Sequence, residues 1–399
     1  MRSDIRALIK KYSPRDPHAM CAADSLPLAH ISFGEEEIEE AMESLLTGWI
    51  TMGKKVSAFE HAWAQKIGVE HAIAVNSGSS SLLVMLSAMV SCGYLSPGQE
   101  VLVPALGWST SLFSVVQAGL HPVLVDVDAD SLCIEGKRDR PVLAIHLLGA
   151  PSRVQTPILL EDACGAHGAE VEGKKVGSLG ACGAFSFFFS HHLTTGEGGM
   201  ITTSDRDLAD ACRSIRAHGW IRERSDRQQW IEDHPTVDPR FLFATSGYNL
   251  RMTDIAGAMG IHQVKRLDAF VAQRRENHRK WCEWISSLAL PVRVYPEQEG
   301  TLHSAFAFPM LLNADSPFTR AEICAELAKY NIDTRPISGS NLAKQPAFST
   351  LKNAHVEGST PITDAIHDRG FFVGQSHAFG DDHGNLLCDA LQRIFSRYK

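Results

Sequence analysis

The residues with the clearest chemical potential are two adjacent histidines, His191 and His192, within the stretch from Phe185 to Gly199. Imidazole exchanges protons near neutral pH, so a histidine at the edge of a binding cleft can act as a general base. Neighbouring histidines also occur on ordinary surfaces and in weak metal sites. The pair alone does not choose among these roles, and the surrounding elements have to decide.

Those elements are predicted to be a strand and a tight turn. Residues 184–189 are mostly apolar and predict a buried strand, and Gly196, Gly198 and Gly199 allow a sharp turn after it. We therefore expect both histidines to be exposed at a strand end. Open α/β sheets place their sites at such ends, so this stretch is the predicted centre of the chemistry.

A second strand, turn and helix supply a candidate anion site. Apolar residues 72–75 lead into a Ser/Gly turn, and an apolar-periodic helix begins near Ser79. The free N–H groups and positive dipole end of a helix, with serine hydroxyls beside them, suit a phosphate. A plain serine N-cap explains the same pattern. Gly78 and Ser79 are candidate phosphate ligands if the rest of the chain supports that interpretation.

The wider pattern predicts an α/β protein. Continuous Val/Leu/Ile runs at 100–104, 122–127, 141–146 and 157–162 indicate a mostly parallel sheet covered on both faces by helices. Towards the C-terminus, short strands alternate with helices, as in an α+β cap. We predict a large domain with an N-terminal helix at residues 1–274 and a small domain at 275–399.

Composition excludes several classes of protein. The 399 residues carry a net charge of −8, which argues against nucleic-acid or anionic-membrane partners. Nine scattered cysteines without a C-x-x-C motif suit a reducing compartment and provide no predicted metal site. No secretory signal or membrane-spanning stretch is recognisable. We expect a cytoplasmic protein.

Several motifs together resemble the DegT/DnrJ/StrS family of pyridoxal-phosphate sugar aminotransferases. The central stretch is similar to the family pattern S-F-x-x-x-K-N-[LI]-T-x-x-E-G-G, with matches at Ser186, Leu193, Thr194, Glu197, Gly198 and Gly199. Residues 76–82, 161–168 and 247–254 resemble its other motifs. The resemblance spans almost the whole chain and implies the aspartate-aminotransferase-like fold, fold type I, of enzymes that bind pyridoxal 5'-phosphate.

The resemblance also implies roles for cofactor-binding residues. Gly78 and Ser79 would bind the phosphate, Trp108 would stack on the ring, Asp162 would pair with the pyridine nitrogen, and Ser186 would contact the cofactor. Asp162 ends an apolar strand, where an acid also serves as a helix cap or turn former. Trp108 rests on its position alone, because a tryptophan after a strand is usually a core residue.

Further implied contacts concern the substrate and a second subunit. Asn249 lies in a segment similar to the family motif G-Y-N-x-R, whose asparagine reaches the phosphate of the neighbouring subunit, which implies a homodimer. His218, Ser190 and Arg251 are the implied substrate-binding residues. One departure is Gly165, which stands where relatives often have Gln, His or Glu beside the cofactor hydroxyl.

The main departure is His191, which occupies the family's lysine position. Lysine forms an imine with pyridoxal phosphate, whereas imidazole cannot and still moves protons. A branch of nucleotide-sugar 3-dehydratases carries His-His there. The resemblance implies that a nucleotide-linked 4-keto-6-deoxysugar reacts with non-covalently held pyridoxamine 5'-phosphate, His191 removes a proton, and the C3 hydroxyl leaves. L-glutamate would regenerate the cofactor, and the setting would be deoxysugar or O-antigen-type biosynthesis. His192 is the alternative base.

Three other functions remain as alternatives. The chain would be an aminotransferase-like protein with altered chemistry if amination replaced elimination. It would be a non-catalytic binding relative if the site were only a scaffold, although Asp162, the phosphate loop and the histidine argue against that. An iron–sulfur 3-dehydrase is disfavoured, because such enzymes place close cysteines after the central motif and none lies between Cys212 and Cys282.

Overall fold

The computed structural model describes residues 2–13 and 19–397. The α-helices are α1 (Arg2–Tyr12), α2 (Glu35–Thr47), α3 (Lys54–Ile67), α4 (Gly78–Ser91), α5 (Ser109–Gln117), α6 (Arg206–Ile215), α7 (Arg227–Asp233), α8 (Asp254–Gln263), α9 (Leu267–Ser287), α10 (Arg320–Ala328), α11 (Pro361–Arg369) and α12 (Asp381–Ser396). Short 3-10 turns occur at Leu147–Gly149, Pro239–Phe241, Val264–Arg266, Leu342–Lys344 and Pro346–Thr350.

The strands are β1 (His71–Val75), β2 (Glu100–Pro104), β3 (His121–Val125), β4 (Val142–Ile145), β5 (Leu159–Asp162), β6 (Glu170–Val171), β7 (Lys174–Lys175), β8 (Cys182–Ser186), β9 (Gly199–Thr203), β10 (Val292–Val294), β11 (Thr301–Leu302), β12 (Ala307–Leu312), β13 (Thr334–Pro336), β14 (His355–Val356) and β15 (Gly370–Gly374). The predicted strands at 100–104 and 157–162 are confirmed as β2 and β5.

The largest sheet has the order β1-β9-β8-β5-β4-β2-β3-β14. Its pairs are parallel except around β9, which runs antiparallel to β1 and β8. Strand residues alternate between two helix-covered cores: Ile73 and Val75 face one core, whereas Ala72 and Ala74 face the other. The mostly parallel sheet covered on both faces is therefore confirmed.

A second sheet, with the antiparallel order β10-β12-β15-β13, packs against α9, α10 and α12. The predicted boundary after residue 274 falls inside α9. Several segments cross that division, and β11 for example pairs with β6. Leu26 packs in the core of the second sheet and pairs with Ile332. Strand β14, from the predicted small domain, pairs with β3 in the large sheet.

One expectation about local structure is wrong. The strand predicted at 184–189 ends at Ser186, and Phe188 and Phe189 are 44% and 46% exposed because the chain has already entered the turn. The polar stretch from His218 to Thr245 contains the short helix α7. Among the described residues, no helix is both long enough and apolar enough to cross a bilayer.

Candidate active site

The predicted cofactor residues converge at the carboxyl edge of the large sheet. Strand β5 ends at Asp162, which is aligned with Ala184 of the parallel strand β8, and β8 ends two residues later at Ser186, so both strands end at the same edge of the sheet. Ser81, in the first turn of α4, donates its hydroxyl to the carbonyl of Phe185 at 3.2 Å. The start of α4 is thereby held against the end of β8, as expected for strand-end sites.

The N-terminus of α4 forms a cradle that requires glycine. Ser77 caps the helix by accepting a hydrogen bond from the Ser80 amide. A Cβ atom at Gly78 would lie 2.5 Å from the Cβ of Ser186 and 2.9 Å from its Oγ, so only glycine fits. Ser79 is exposed, with its hydroxyl 3.1 Å from that of Thr110. Hydroxyls and a free helix N-terminus therefore meet at one point.

Asp162 is oriented by two hydrogen bonds. It is 6% exposed, and its Oδ2 accepts from the hydroxyl of Ser111 at 2.6 Å. Its Oδ1 accepts from the Cys164 amide at 3.2 Å. The carboxylate is therefore fixed at the strand end. Sequence reasoning missed Ser111, although the run of hydroxyl residues that opens α5 was a readable signal.

Trp108 immediately precedes α5 and is 62% exposed. The interpretation of this residue as a core tryptophan is therefore wrong. Ser111, one turn further along the same helix, holds Asp162, so Trp108 lies on the same edge of the sheet as the carboxylate. An exposed indole beside an oriented acid is suited to covering a flat ring.

The turn that carries the histidines is fixed by side-chain amide and hydroxyl groups. The amide of Gln263 accepts from the Thr194 backbone N–H at 2.9 Å and donates to its carbonyl at 2.6 Å. The Thr194 hydroxyl donates to the Phe187 carbonyl at 3.2 Å and accepts from the Gly196 amide at 3.0 Å. Gly196 has a φ of +79°, which glycine adopts without strain. The turn is rigid at the point where His191 and His192 leave it.

His191 is partly buried among rings. The nearest aromatic partners are Phe306 at 5.2 Å and His167 at 6.1 Å between ring centroids. Its Nδ1 is buried without a hydrogen-bond partner, so Nε2 is the nitrogen left to exchange a proton. Burial, followed by the nearby charge of Arg274, lowers the pKa of His191 to about 4. The imidazole is therefore neutral at pH 7, as a base must be.

His192 is fully buried, so the expectation that it would be exposed is wrong. Its Nε2 donates to the carbonyl of Ser304 at 2.9 Å, and its Nδ1 is buried without a partner. Burial holds the pKa of His192 well below its usual range. One nitrogen is engaged and the other is enclosed, so the geometry favours His191 over His192 as the base.

Of the predicted substrate residues, Arg251 lies beside the strand end that leads into the predicted phosphate loop. Arg251 pairs with Val75 at the end of β1, and its Nε donates to Asn249 Oδ1 at 3.1 Å. Asn249 and His218 are both exposed, and the His218 amide donates to the Tyr248 carbonyl at 2.6 Å. Ser190 is half-buried immediately before His191. These positions leave the side chains of His218 and Asn249 at the surface of the site.

Gly165 has open space beside it, because a Cβ there would meet nothing closer than the Leu148 amide and the Phe306 ring, both at 4.0 Å. Sequence reasoning missed three other residues around the histidines. These are His167, Phe306 and Arg274, which lie on different elements and share no sequence motif with the turn. Only the fold brings them to His191.

The arrangement of these residues is typical of one class of protein, and the sequence as a whole matches the same class. The chain belongs to the DegT/DnrJ/EryC1/StrS aminotransferase family, whose model matches residues 32–392. The predicted family and the predicted fold class are therefore confirmed. Pyridoxal phosphate is the cofactor of this family, and members act on sugars as aminotransferases or dehydratases.

Individual members of the family are similar to this chain to different degrees. The chain is 34% identical over 397 residues to GDP-4-keto-6-deoxy-D-mannose 3-dehydratase of Yersinia pseudotuberculosis, covering 94% of this chain and 98% of the relative. It is 26% identical to GDP-perosamine synthase of Vibrio cholerae, covering 93% and 99%. It also matches structures of GDP-4-keto-6-deoxymannose-3-dehydratase, one with a trapped PLP-glutamate geminal diamine and one with bound GDP-perosamine, at a TM-score of 0.85, 29% identity, and 92% and 100% coverage.

The residues present fit pyridoxal phosphate. At the start of α4, Gly78 packs so closely against Ser186 that no side chain fits there, and the hydroxyls of Ser79 and Thr110 would be donors for a phosphate. Asp162 is placed to hold a ring nitrogen in its protonated form, and Trp108 is exposed beside it. No lysine stands at the turn, because His191 occupies that position.

Proposed function

We propose that this protein is a nucleotide-sugar 3-dehydratase that removes the C3 hydroxyl of a nucleotide-linked 4-keto-6-deoxyhexose. The observation that carries the proposal is His191, which replaces the imine-forming lysine with a neutral imidazole whose Nε2 is free to take a proton. The similarity to GDP-4-keto-6-deoxy-D-mannose 3-dehydratase supports the same reaction.

The chain's own residues perform four tasks in this proposal. When bound, pyridoxamine phosphate supplies an amine that links to the sugar's keto group and a ring that stores the electrons of the cleaved bond. Gly78 and Ser79 bind its phosphate, and Asp162 holds the ring nitrogen protonated. His191 accepts a proton at Nε2, so that the neighbouring sugar hydroxyl can leave. The aromatic residues around His191 limit access of water to the base.

L-glutamate is the proposed amino donor that restores the cofactor, in keeping with the PLP-glutamate adduct in the similar dehydratase structure. We also infer a homodimer in which Asn249 reaches the phosphate held by Gly78 and Ser79 of the partner. The end of α2 supports an interface, because Leu45, Leu46, Trp49 and Ile50 are all about half exposed. Large neighbouring apolar residues at a surface commonly mark contact with another chain.

A panel assay tests the reaction. Purified protein is incubated with pyridoxamine phosphate and GDP-, CDP-, dTDP- or UDP-linked 4-keto-6-deoxysugars, and the products are analysed by mass spectrometry. We expect a sugar that has lost its C3 oxygen, with release of ammonia. A His191→Lys variant serves as a matched comparison, because it restores the family's imine-forming residue and should shift the products towards amination.

The second candidate function is amination, and the similarity to GDP-perosamine synthase is the observation that favours it. Amination without loss of the C3 oxygen by the unmodified protein would replace our proposal with an aminotransferase. Absence of turnover across the panel, with retained sugar binding, would favour a non-catalytic relative.

A further inference from the structure

Arg274, on α9, is a buried cation without an anionic partner. Its side chain is 2% exposed, and no carboxylate in the described ranges 2–13 and 19–397 forms an ion pair with it. Its Nη1 donates only to backbone carbonyls, those of Ala305 and Phe306 at 3.3 Å and that of Gln375. Its Nε is buried with no partner. A structural arginine is normally paired, so this arrangement calls for an explanation.

The guanidinium keeps its charge despite burial. Burial lowers the pKa of Arg274 to about 9, which leaves the group protonated at pH 7. Desolvating an unpaired charge costs several kcal/mol, on the order of the penalty seen for other buried ions. The carbonyl dipoles of two segments offset part of that cost. Position 274 therefore retains a positive charge although burying that charge is unfavourable.

Two of the three carbonyls that accept from Arg274, those of Ala305 and Phe306, belong to the segment that contacts the histidines. Ser304 accepts the hydrogen bond from His192, and the Phe306 ring lies edge-on to His191 at 5.2 Å. Segment 304–306 is thus bounded by Arg274 on one side and the histidine turn on the other. Its backbone is further fastened to Gly149 and Leu148 through the amides of Ser304 and Phe306, at 2.9 and 3.0 Å.

We propose that Arg274 is a positioning residue for the base: its buried guanidinium holds segment 304–306 against the histidine turn, and its charge adds to the effect of burial in disfavouring a protonated His191. The positioning of segment 304–306 and the electrostatic effect on His191 are properties of the folded protein. Only the use of the neutral imidazole in catalysis rests on the proposed function.

The charge balance around His191 supports this assignment. The titratable groups that face it are His167, from the segment after β5, His192, from its own turn, and Arg274, from α9. Burial keeps the pKa of both other histidines well below the usual range, so they are neutral at pH 7. Of these groups, Arg274 is the one that carries a charge at pH 7, and a nearby positive charge disfavours the protonated form of His191.

The test is histidine titration by NMR on the cofactor-free protein, which needs no turnover. The His191 resonance is assigned by its disappearance in His191→Asn. We expect wild-type His191 to titrate well below 6.5, and Arg274→Gln, which keeps a donor for the carbonyls, to raise that value by about one pH unit. Arg279→Gln is the matched control, because Arg279 lies on the same helix but pairs with Glu276 and Glu283 in solvent.

An unchanged His191 titration in Arg274→Gln, or a wild-type value near 6.5, would overturn the proposal. Should Arg274→Gln fail to fold, Arg274→Lys decides, since it keeps the cation: His191 must then titrate as in the wild type, and a clear rise contradicts us. With an active enzyme, the low-pH limb of kcat should move upward by the same amount in Arg274→Gln. Failure of the dehydratase assay alone would leave the NMR result standing.

Discussion

We call the strand-end region of Gly78, Ser79 and Asp162 the cofactor edge, and the turn that carries His191 and His192 the histidine turn. The two regions are neighbours, yet they follow opposite physical principles. The cofactor edge uses short polar groups and backbone: the Ser79 hydroxyl lies 3.1 Å from that of Thr110, and Asp162 accepts a hydrogen bond from Ser111. The histidine turn instead encloses neutral imidazoles among rings, beside a buried cation. An anion site needs donors open to the ligand, whereas a base needs surroundings that exclude its charged form.

The largest expected effect separates the two histidines within the turn. His191→Asn keeps polarity and approximate size, so the fold and cofactor binding should survive, while turnover falls by roughly two to four orders of magnitude, the usual worth of a positioned base. His192→Asn should cost much less. Single-turnover decay of the sugar adduct measures both, and near-normal rates for His191→Asn beside a collapse for His192→Asn would reverse the assignment.

At the cofactor edge, the sharpest test is a substitution of Gly78 in the glycine cradle. Gly78→Ala places a Cβ 2.5 Å from that of Ser186, so pyridoxamine phosphate should bind on the order of tenfold more weakly. The double variant Gly78→Ala with Ser186→Gly removes the clashing side chain and should recover part of the affinity. Fluorescence titration measures each dissociation constant. Unchanged affinity in the single variant would show that the cradle does not hold the cofactor.

Acid should destabilise the protein through the buried histidines of the histidine turn and its surroundings. The pKa of His191 is lowered to about 4 from 6.5, so the unfolded chain binds more protons than the folded one between those values. Stability is therefore complete above pH 6.5 and declines as the pH falls towards 4. His167 contributes in the same direction. We expect the melting temperature to fall over this range in scanning calorimetry.

His167→Leu sharpens this test, because the ring lies among Trp63, Phe185 and Phe187, and neither of its nitrogens has a well-formed hydrogen bond. Leucine should reduce the loss of stability in acid, since an apolar side chain has no proton to bind. His234→Gln is the control at an exposed position. Equal acid sensitivity in wild type and His167→Leu would contradict the contribution of His167.

The smallest expected effect is no change at all. Borohydride reduction of the protein loaded with pyridoxal phosphate should leave no cofactor attached, because His191 cannot form an imine. Peptide mass spectrometry after digestion provides the measurement. A phosphopyridoxyl-lysine peptide would mean that a lysine reaches the cofactor edge and forms the imine. The contrast between a cofactor edge that holds the cofactor non-covalently and a histidine turn that supplies only a base would then be wrong.

Much of the fold was readable from local pattern. The continuous apolar runs predicted β2 and β5 at their observed positions, and the acidic run that begins at Glu35 is typical of the first turn of a helix, where α2 begins. Such features depend on hydrophobic periodicity and on charges favoured by the helix dipole, both of which act over a few residues. The strand at 184–189 was extended too far, because apolar content alone does not show where Phe188 and Phe189 leave the sheet.

By itself, the sequence determined the residue types of the site: the Gly78 cradle, the acid at Asp162 and the replacement of lysine by His191. Only the tertiary structure decided which histidine is enclosed, since burial of His192 requires Ser304, a residue 112 positions away. The same holds for Arg274, whose partners lie 31 to 101 residues further along the chain. Desolvation and Coulomb interactions depend on distance in space, so no local pattern records them.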